Sequence, residues 1–222
     1  EVGHMNLGAG RIVYQDFVKI NNAVEDGSLA EQKVLVDAFA FAKENGKKVH
    51  FLGLLSDGGV HSHISHLKGL LNAADNFGLK DVYVHAFTDG RDVDPKSGKG
   101  FVKELEDHMQ KSTGQLASIC GRYYAMDRDQ RWARVKLSYD AMVNAIGEKS
   151  TDAEQSIQKS YDEGVTDEFI KPIVMTDGRG EPVAKIEEDD VIVFFNFRTD
   201  RGRQLTRVLT QENFEEFGMH TL

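Results

Sequence analysis

Four stretches of the chain are almost unbroken runs of apolar residues: VHFLGLLS (49–56), VYVHAFT (82–88), LASIC (116–120) and VIVFFNF (191–197). Each is rich in β-branched or aromatic residues, the pattern of a strand covered on both faces. Between the first three, apolar residues recur at three- and four-residue spacing, as on one face of a helix. HISHLKGLLNAADNFG has this pattern and closes on Gly78, a C-cap. GKGFVKELEDHMQKSTG behaves alike, and DRDQRWARVKLSYDAMVNAIG is expected to end at Gly147. Upstream, YQDFVKINNAVEDG precedes SLAEQKVLVDAFAFAKENG, where Ser28 and Glu31 carry a capping-box signature and Gly46 a stop. Trp132 and Tyr139 fall at helical spacing and are assigned to the core.

Strands alternating with helices predict an α/β fold in three layers, a largely parallel sheet with helices on both faces. Residues 151–190 break the rhythm. TDAEQSIQKSYDEG predicts a helix capped by Thr151 with Glu154 at its third position, and IVMTDGRGEPVAKI predicts a β-hairpin around a polar turn. QENFEEFG, near the end, reads as helical. The Gly-rich residues 1–13 read as a connector and 14–222 as one domain, with no repeat of fixed period and no low-complexity tract.

Composition narrows the function classes. A formal charge of -9 argues against a nucleic-acid or anionic-membrane partner, so anion binding has to be local. No apolar run approaches the roughly 20 residues of a membrane span, and EVGHMNLGAG lacks the build of a signal peptide. Cys120 is the only cysteine, which points to a reducing cytoplasm. The absence of an initial Met suggests a piece of a longer protein.

Charged chemistry collects where the strands end. The exits read SDGGVHSH, TDGRDVD, GRYYAMDRDQR and NFRTDRGR, delivering His61 and His63, Arg91 and Asp92, Arg122 and Arg128, then Arg198 and Arg201. Right-handed crossovers put these exits on one edge of the sheet, where parallel folds bind ligands. Five guanidiniums in one place repel one another unless the guest is a compact polyanion, which arginine grips with paired hydrogen bonds. Gly58, Gly59 and Gly90 are expected to let backbone N–H groups approach the same anion. Asp92 is the candidate for proton transfer at a substrate hydroxyl. An Arg after a strand is often only a solvated loop residue, but four exits of one chemistry favour a site. His61 and His63 could ligate a metal, yet no Cys or acidic cluster accompanies them and no metal site is expected here. His66 is read as structural or exposed, and Arg179, in the second TDGR at 176–179, as turn chemistry. SGKG at 97–100 lacks the spacing of a phosphate-binding P-loop.

The stretches EVGHMNLGAGRIVYQD, GLLSDGGVHSH, HAFTDGRDVDP, CGRYYAMDRDQRW and FFNFRTDRGRQL together resemble the 2,3-bisphosphoglycerate-independent phosphoglycerate mutases. The resemblance implies an alkaline-phosphatase-like domain holding two Mn²⁺ ions and a nucleophilic Ser, and an inserted domain that binds phosphoglycerate. This chain resembles the inserted domain. The match implicates His61, Arg91, Asp92, Arg122, Arg128, Arg198 and Arg201 as substrate-binding residues, with Asp92 and His61 catalytic, and assigns no role to Arg203. The Ser is expected directly before EVGH, and the metal ligands and a substrate-contacting Lys outside the chain. The fragment alone is therefore expected to hold no Mn²⁺ and to be inactive, its partners being phosphoglycerate and its own phosphatase-like domain. The inserted domain's last elements are expected to lie beyond residue 222. Two alternatives stand beside this reading: a self-contained small phosphate-ester hydrolase or isomerase, and a non-catalytic anion-binding module.

Overall fold

The structure, a computed structural model, describes residues 15–222 together with His4, Leu7, Gly8 and Gly10. The connector at 1–13 and most of EVGHMNLGAGRIVYQD lie outside the described residues.

All four apolar runs are strands: β1 (Val49–Leu55), β2 (Val82–Thr88), β3 (Gln115–Gly121) and, closing the sheet, β6 (Val191–Phe194). They lie side by side in the order β3-β2-β1-β6, every pair parallel. β6 stops at Phe194 rather than continuing through Phe197, and it is half-buried throughout because only β1 flanks it among the described residues. Two further strands extend the other side. β5 (Ile173–Met175) pairs antiparallel with β3, and β4 (Glu148–Ser150) parallel with β5.

Alternate residues of each strand feed two cores, which is why the runs are continuously apolar. Val49, Phe51 and Leu55 of β1 and Val84 of β2 pack on one face with Phe39, Leu67, Leu71, Leu105 and Ile157. These five come from α2 (Lys33–Asn45), α3 (Ile64–Phe77), α4 (Gly98–Met109) and α7 (Ala153–Asp162). On the other face Leu52, Leu54 and Phe87 meet Val135 and Tyr139 of α6 (Trp132–Tyr139) and Leu205 and Val208 of α8 (Arg203–Thr210). Tyr139 is buried and Trp132 packs on Phe214, so both belong to the core as expected. α1 (Asp16–Glu25) and the one-turn α5 (Arg122–Ala125) complete the helices.

Helix ends correct several sequence expectations. Gly46 and Gly78 do close α2 and α3 in the left-handed conformation. Ser28 and Glu31, however, form a separate 3₁₀ turn without a side-chain cap, and α2 starts after Gln32. α6 passes into a π turn over Asp140–Asn144 and ends on Ala145 at φ 54, two residues before Gly147. Gly147 is small for another reason: a Cβ there would sit 2.6 Å from the Pro172 carbonyl oxygen. Asp152, not Thr151, caps α7, accepting from the Gln155 N–H at 2.9 Å. The hairpin reduces to β5, a turn at Asp177, and a single bridge from Thr176 to Pro182. QENFEEFG holds only a 3₁₀ turn, Glu215–Phe217.

One polar chain crosses the buried sheet. Asp190 Oδ2 lies 3.2 Å from His50 Nε2, His50 Nδ1 lies 3.0 Å from His85 Nε2, and His85 Nδ1 lies 2.7 Å from Ser118 Oγ. One proton per ring satisfies every link, with Asp190 as terminal acceptor and Ser118 as terminal donor.

Candidate active site

Local bonds at each exit decide which side chains face one another. After β1, the Ile64 N–H donates to Ser56 O at 2.9 Å and His63 caps α3 through the Ser65 N–H. His61 is thereby folded inward, 3% exposed. After β2, Asp89 Oδ1 accepts from the N–H groups of Arg91 (3.1 Å) and Asp92 (3.0 Å), a tight Asx turn that sends Arg91 outward and Asp92 back over the sheet edge. After β3, Arg122 opens α5 and is buried. After β6, the Arg198 N–H donates to His61 O at 3.3 Å, tying the fourth loop to the first.

The seven predicted residues meet here, but not as one layer. Arg122 Nη1 donates to Asp89 Oδ1 and to Asp92 Oδ2, each at 2.6 Å. Burial works against its charge, yet the bonds to Asp92 and Asp89 prevail and hold its pKa above the ordinary guanidinium value. Burial likewise opposes the Asp89 charge, and the Asp92 N–H, Ser56 and Arg122 more than offset it, so Asp89 lies below the usual carboxylate range. His61 Nε2 is 3.8 Å from Asp92 Oδ2 and His61 Nδ1 is 3.9 Å from Asp200 Oδ1, both beyond hydrogen-bond length. Burial, then the Arg122 charge, pushes the His61 imidazole below its ordinary pKa, so the ring is neutral at pH 7. Arg201 donates to Met126 O at 3.2 Å. Burial, then the charges of Arg122, Arg128 and Arg91, lowers its pKa. Arg91, Arg128 and Arg198 form an outer ring with side chains 58%, 51% and 48% exposed, and these three have surface to offer a guest.

Three carboxylates of the cluster were not singled out from sequence: Asp89, Glu168 and Asp200. Asp200 takes Arg198 Nε at 2.9 Å and Arg128 Nη1 at 3.5 Å; burial opposes its charge, Arg198 outweighs that, and its pKa falls. Glu168 lies 3.5 Å from Arg91. With Asp92, four carboxylates thus face five guanidiniums, and much of the repulsion inferred from sequence is already relieved within the protein. The second TDGR explains why Asp89 was missed. Asp177 makes the same turn, accepting from the Arg179 N–H at 2.8 Å, while its Arg179 is 87% exposed and bonds only back to Asp177. The motif encodes a turn, and the strand beneath it decides what the turn presents.

Other expectations fare variously. The Gly58 N–H is taken by Ser56 Oγ rather than left to cradle an anion, and Gly90 is small for a packing reason: a Cβ there would lie 2.8 Å from the Glu168 nitrogen. His66 is structural: buried between Phe17 and Phe197, with Nε2 2.7 Å from Asn21 Oδ1 and its pKa pushed down to about 4 by burial. Arg203 opens α8 on its exposed side and lines, with Arg198 and Arg207, an open cleft of ≈ 510 Å³ beside the site. His63 Nδ1 is engaged by Ser65 Oγ at 2.7 Å rather than paired with His61. Among the described residues no group of three or more His, Cys, Asp or Glu could hold a metal ion.

The chain that carries these residues has relatives of known family. The family model described as the BPG-independent PGAM N-terminus matches residues 20–222. The chain belongs to the BPG-independent phosphoglycerate mutase family. It is 62% identical over 222 residues to the 2,3-bisphosphoglycerate-independent phosphoglycerate mutase of Flavobacterium psychrophilum, covering 100% of this chain and 44% of that protein. The corresponding Bacteroides fragilis protein is 59% identical over 100% of this chain and 43% of its own length. The Clostridium perfringens mutase is 53% identical over 218 residues, 98% of this chain and 42% of its own. A crystal structure of Leishmania mexicana phosphoglycerate mutase, solved at low cobalt concentration, superposes with a TM-score of 0.85 at 31% identity, over 92% of this chain and 39% of that one. The chain thus spans less than half the length of these family members. No helix among its described residues is long and apolar enough to cross a membrane.

Proposed function

We propose that this chain is the phosphoglycerate-binding part of a glycolytic, cytoplasmic isomerase that interconverts 3-phosphoglycerate and 2-phosphoglycerate through a phosphoserine on a second domain. The observation that carries this reading is the ion-pair cluster at one sheet edge, where Arg91, Arg122, Arg128 and Arg198 meet Glu168, Asp89, Asp92 and Asp200 beside the buried His61. Phosphoryl transfer demands positioning and charge neutralisation more than covalent work by the protein. Arg91, Arg128, Arg198 and Arg201 grip the carboxylate and phosphate of the guest. Arg122 acts differently. Bonded at 2.6 Å to Asp92, it fixes the carboxylate that takes and returns the hydroxyl proton. Neutral His61, beside Asp92, donates one N–H toward the travelling phosphoryl group. Among the described residues no group of three or more His, Cys, Asp or Glu could hold a metal ion; in this reading the two Mn²⁺ ions inferred for the enzyme are held by the second domain, where they would supply charge neutralisation.

The alternative of a self-contained phosphate-ester hydrolase, with Asp92 and His61 as acid and base, would need those two side chains coupled, and they lie 3.8 Å apart, beyond hydrogen-bond length. Calorimetric titration with 3-phosphoglycerate, with and without Arg198→Ala, tests the site. Loss of a charge-assisted pair should weaken binding by about tenfold or more. Equal affinity in the two proteins overturns the assignment, and turnover of 3-phosphoglycerate by this chain alone would favour the hydrolase.

A further inference from the structure

Three glycines from three separate segments press on one turn. A Cβ on Gly90 would lie 2.8 Å from the Glu168 nitrogen, one on Gly98 would lie 2.5 Å from Asp167 Oδ1, and one on Gly121 would overlap the Glu168 carbonyl oxygen. The turn they enclose, Asp167–Phe169, joins α7 to β5 and so belongs to the antiparallel flank of the sheet. It is clamped from every side. The Asp167 N–H donates to Pro95 O at 2.9 Å, Thr88 Oγ1 donates to Asp167 O at 2.7 Å, and the Gly98 N–H donates to Asp167 Oδ2 at 2.7 Å. Tyr161 donates its hydroxyl to the other Asp167 oxygen, and the Gly121 N–H reaches Ile170 O at 2.8 Å. Asp167 itself is fully buried.

That much anchoring leaves one polar side chain pointing at the site. Glu168 is 19% exposed and its Oε1 lies 3.5 Å from Arg91 Nη1. Arg91, by contrast, is the most exposed member of the outer ring. The Asx turn at Asp89 fixes its backbone, and Glu168 alone among the described residues bonds its guanidinium. We propose that Glu168 is a positioning residue: carried on a turn locked into the β2 and β3 exits, it holds the Arg91 guanidinium at the rim, ready for the anionic guest. A long side chain left free would lose rotamer entropy on binding, and a pre-set partner reduces that loss.

This inference rests on Arg91 being a phosphoglycerate ligand, and the experiment separates the two. In the intact mutase containing this chain, KM and kcat for 3-phosphoglycerate are measured for Glu168→Gln, Arg91→Ala and the double variant, with urea unfolding as a control for folding. Glu168→Gln should raise KM about twofold to fivefold, the range of a partly exposed ion pair, with kcat essentially unchanged. Arg91→Ala should raise KM further, and adding Glu168→Gln to it should change nothing. A KM that is unchanged or lowered in Glu168→Gln, with Arg91→Ala still impaired, overturns the positioning role. So does an equal effect of Glu168→Gln in both backgrounds. An unimpaired Arg91→Ala instead removes Arg91 from the site and the functional reading with it.

Discussion

Asp92 and Arg122 show why neighbouring side chains in one site call for different tests. Arg122 is buried between two carboxylates, so truncating it leaves Asp89 uncompensated in the interior, at a cost of about 3–5 kcal/mol of stability. An inactive Arg122→Ala would therefore say little about chemistry. Asp92 is at the edge of the cluster, and Asp92→Asn keeps the shape while leaving Arg122 its bond to Asp89. In the intact enzyme it should lower kcat by about 10²–10⁴ while calorimetry finds 3-phosphoglycerate still bound. At this scale the sequence disclosed the cationic half of the site through bulky, repeated arginines after apolar runs. The anionic half stayed hidden because Asp89 and Asp200 sit in TDG and TDR contexts that read as turns, and only the fold distinguishes Asp89 from Asp177.

Elements begin and end for reasons the sequence exposes unevenly. A glycine that caps a helix announces itself by following a periodic pattern, as Gly46 and Gly78 do. A glycine required by a distant segment carries no such mark: Gly147 has the sequence context of a cap and is instead a close contact with Pro172. The same distinction yields a paired prediction. Gly121→Ala places a methyl group against the Glu168 carbonyl and should cost about 3 kcal/mol or more in urea unfolding. Gly100→Ala, inside α4 with nothing within 4 Å, should stabilise by about 0.5–1 kcal/mol. β4 and β5 went unread or half-read because three-residue strands carry too few side chains for any period to show.

Across the whole molecule the buried imidazoles set the response to acid. Burial lowers the pKa of His50, His61, His66 and His85, with His66 at about 4. In the unfolded chain these groups take up protons near pH 6.5, whereas the folded chain does not until lower pH. Above about pH 7 both states are neutral and the histidines contribute no pH dependence; as pH falls below 6.5 the unfolded state gains protons first and stability declines. His66 alone accounts for about 3 kcal/mol of this decline by pH 4. Urea midpoints should therefore be flat from pH 8 to 7 and drop steadily from 6.5 to 4, and a midpoint that rises on acidification would contradict buried neutral rings. The layered parallel architecture was legible because continuous apolar runs demand cover on both faces, but the antiparallel flank, entered through a long excursion, was not.

The four loops grow from adjacent strands, β3, β2, β1 and β6, and neighbouring strands are held about 4.8 Å apart by their ladders, so the mouth measures roughly 14 Å from end to end whatever the loops contain. Its width is a dimension of the pleated backbone. Loop substitutions can change which groups line that opening, but a guest too long for it meets a limit that no side-chain exchange at the rim relaxes.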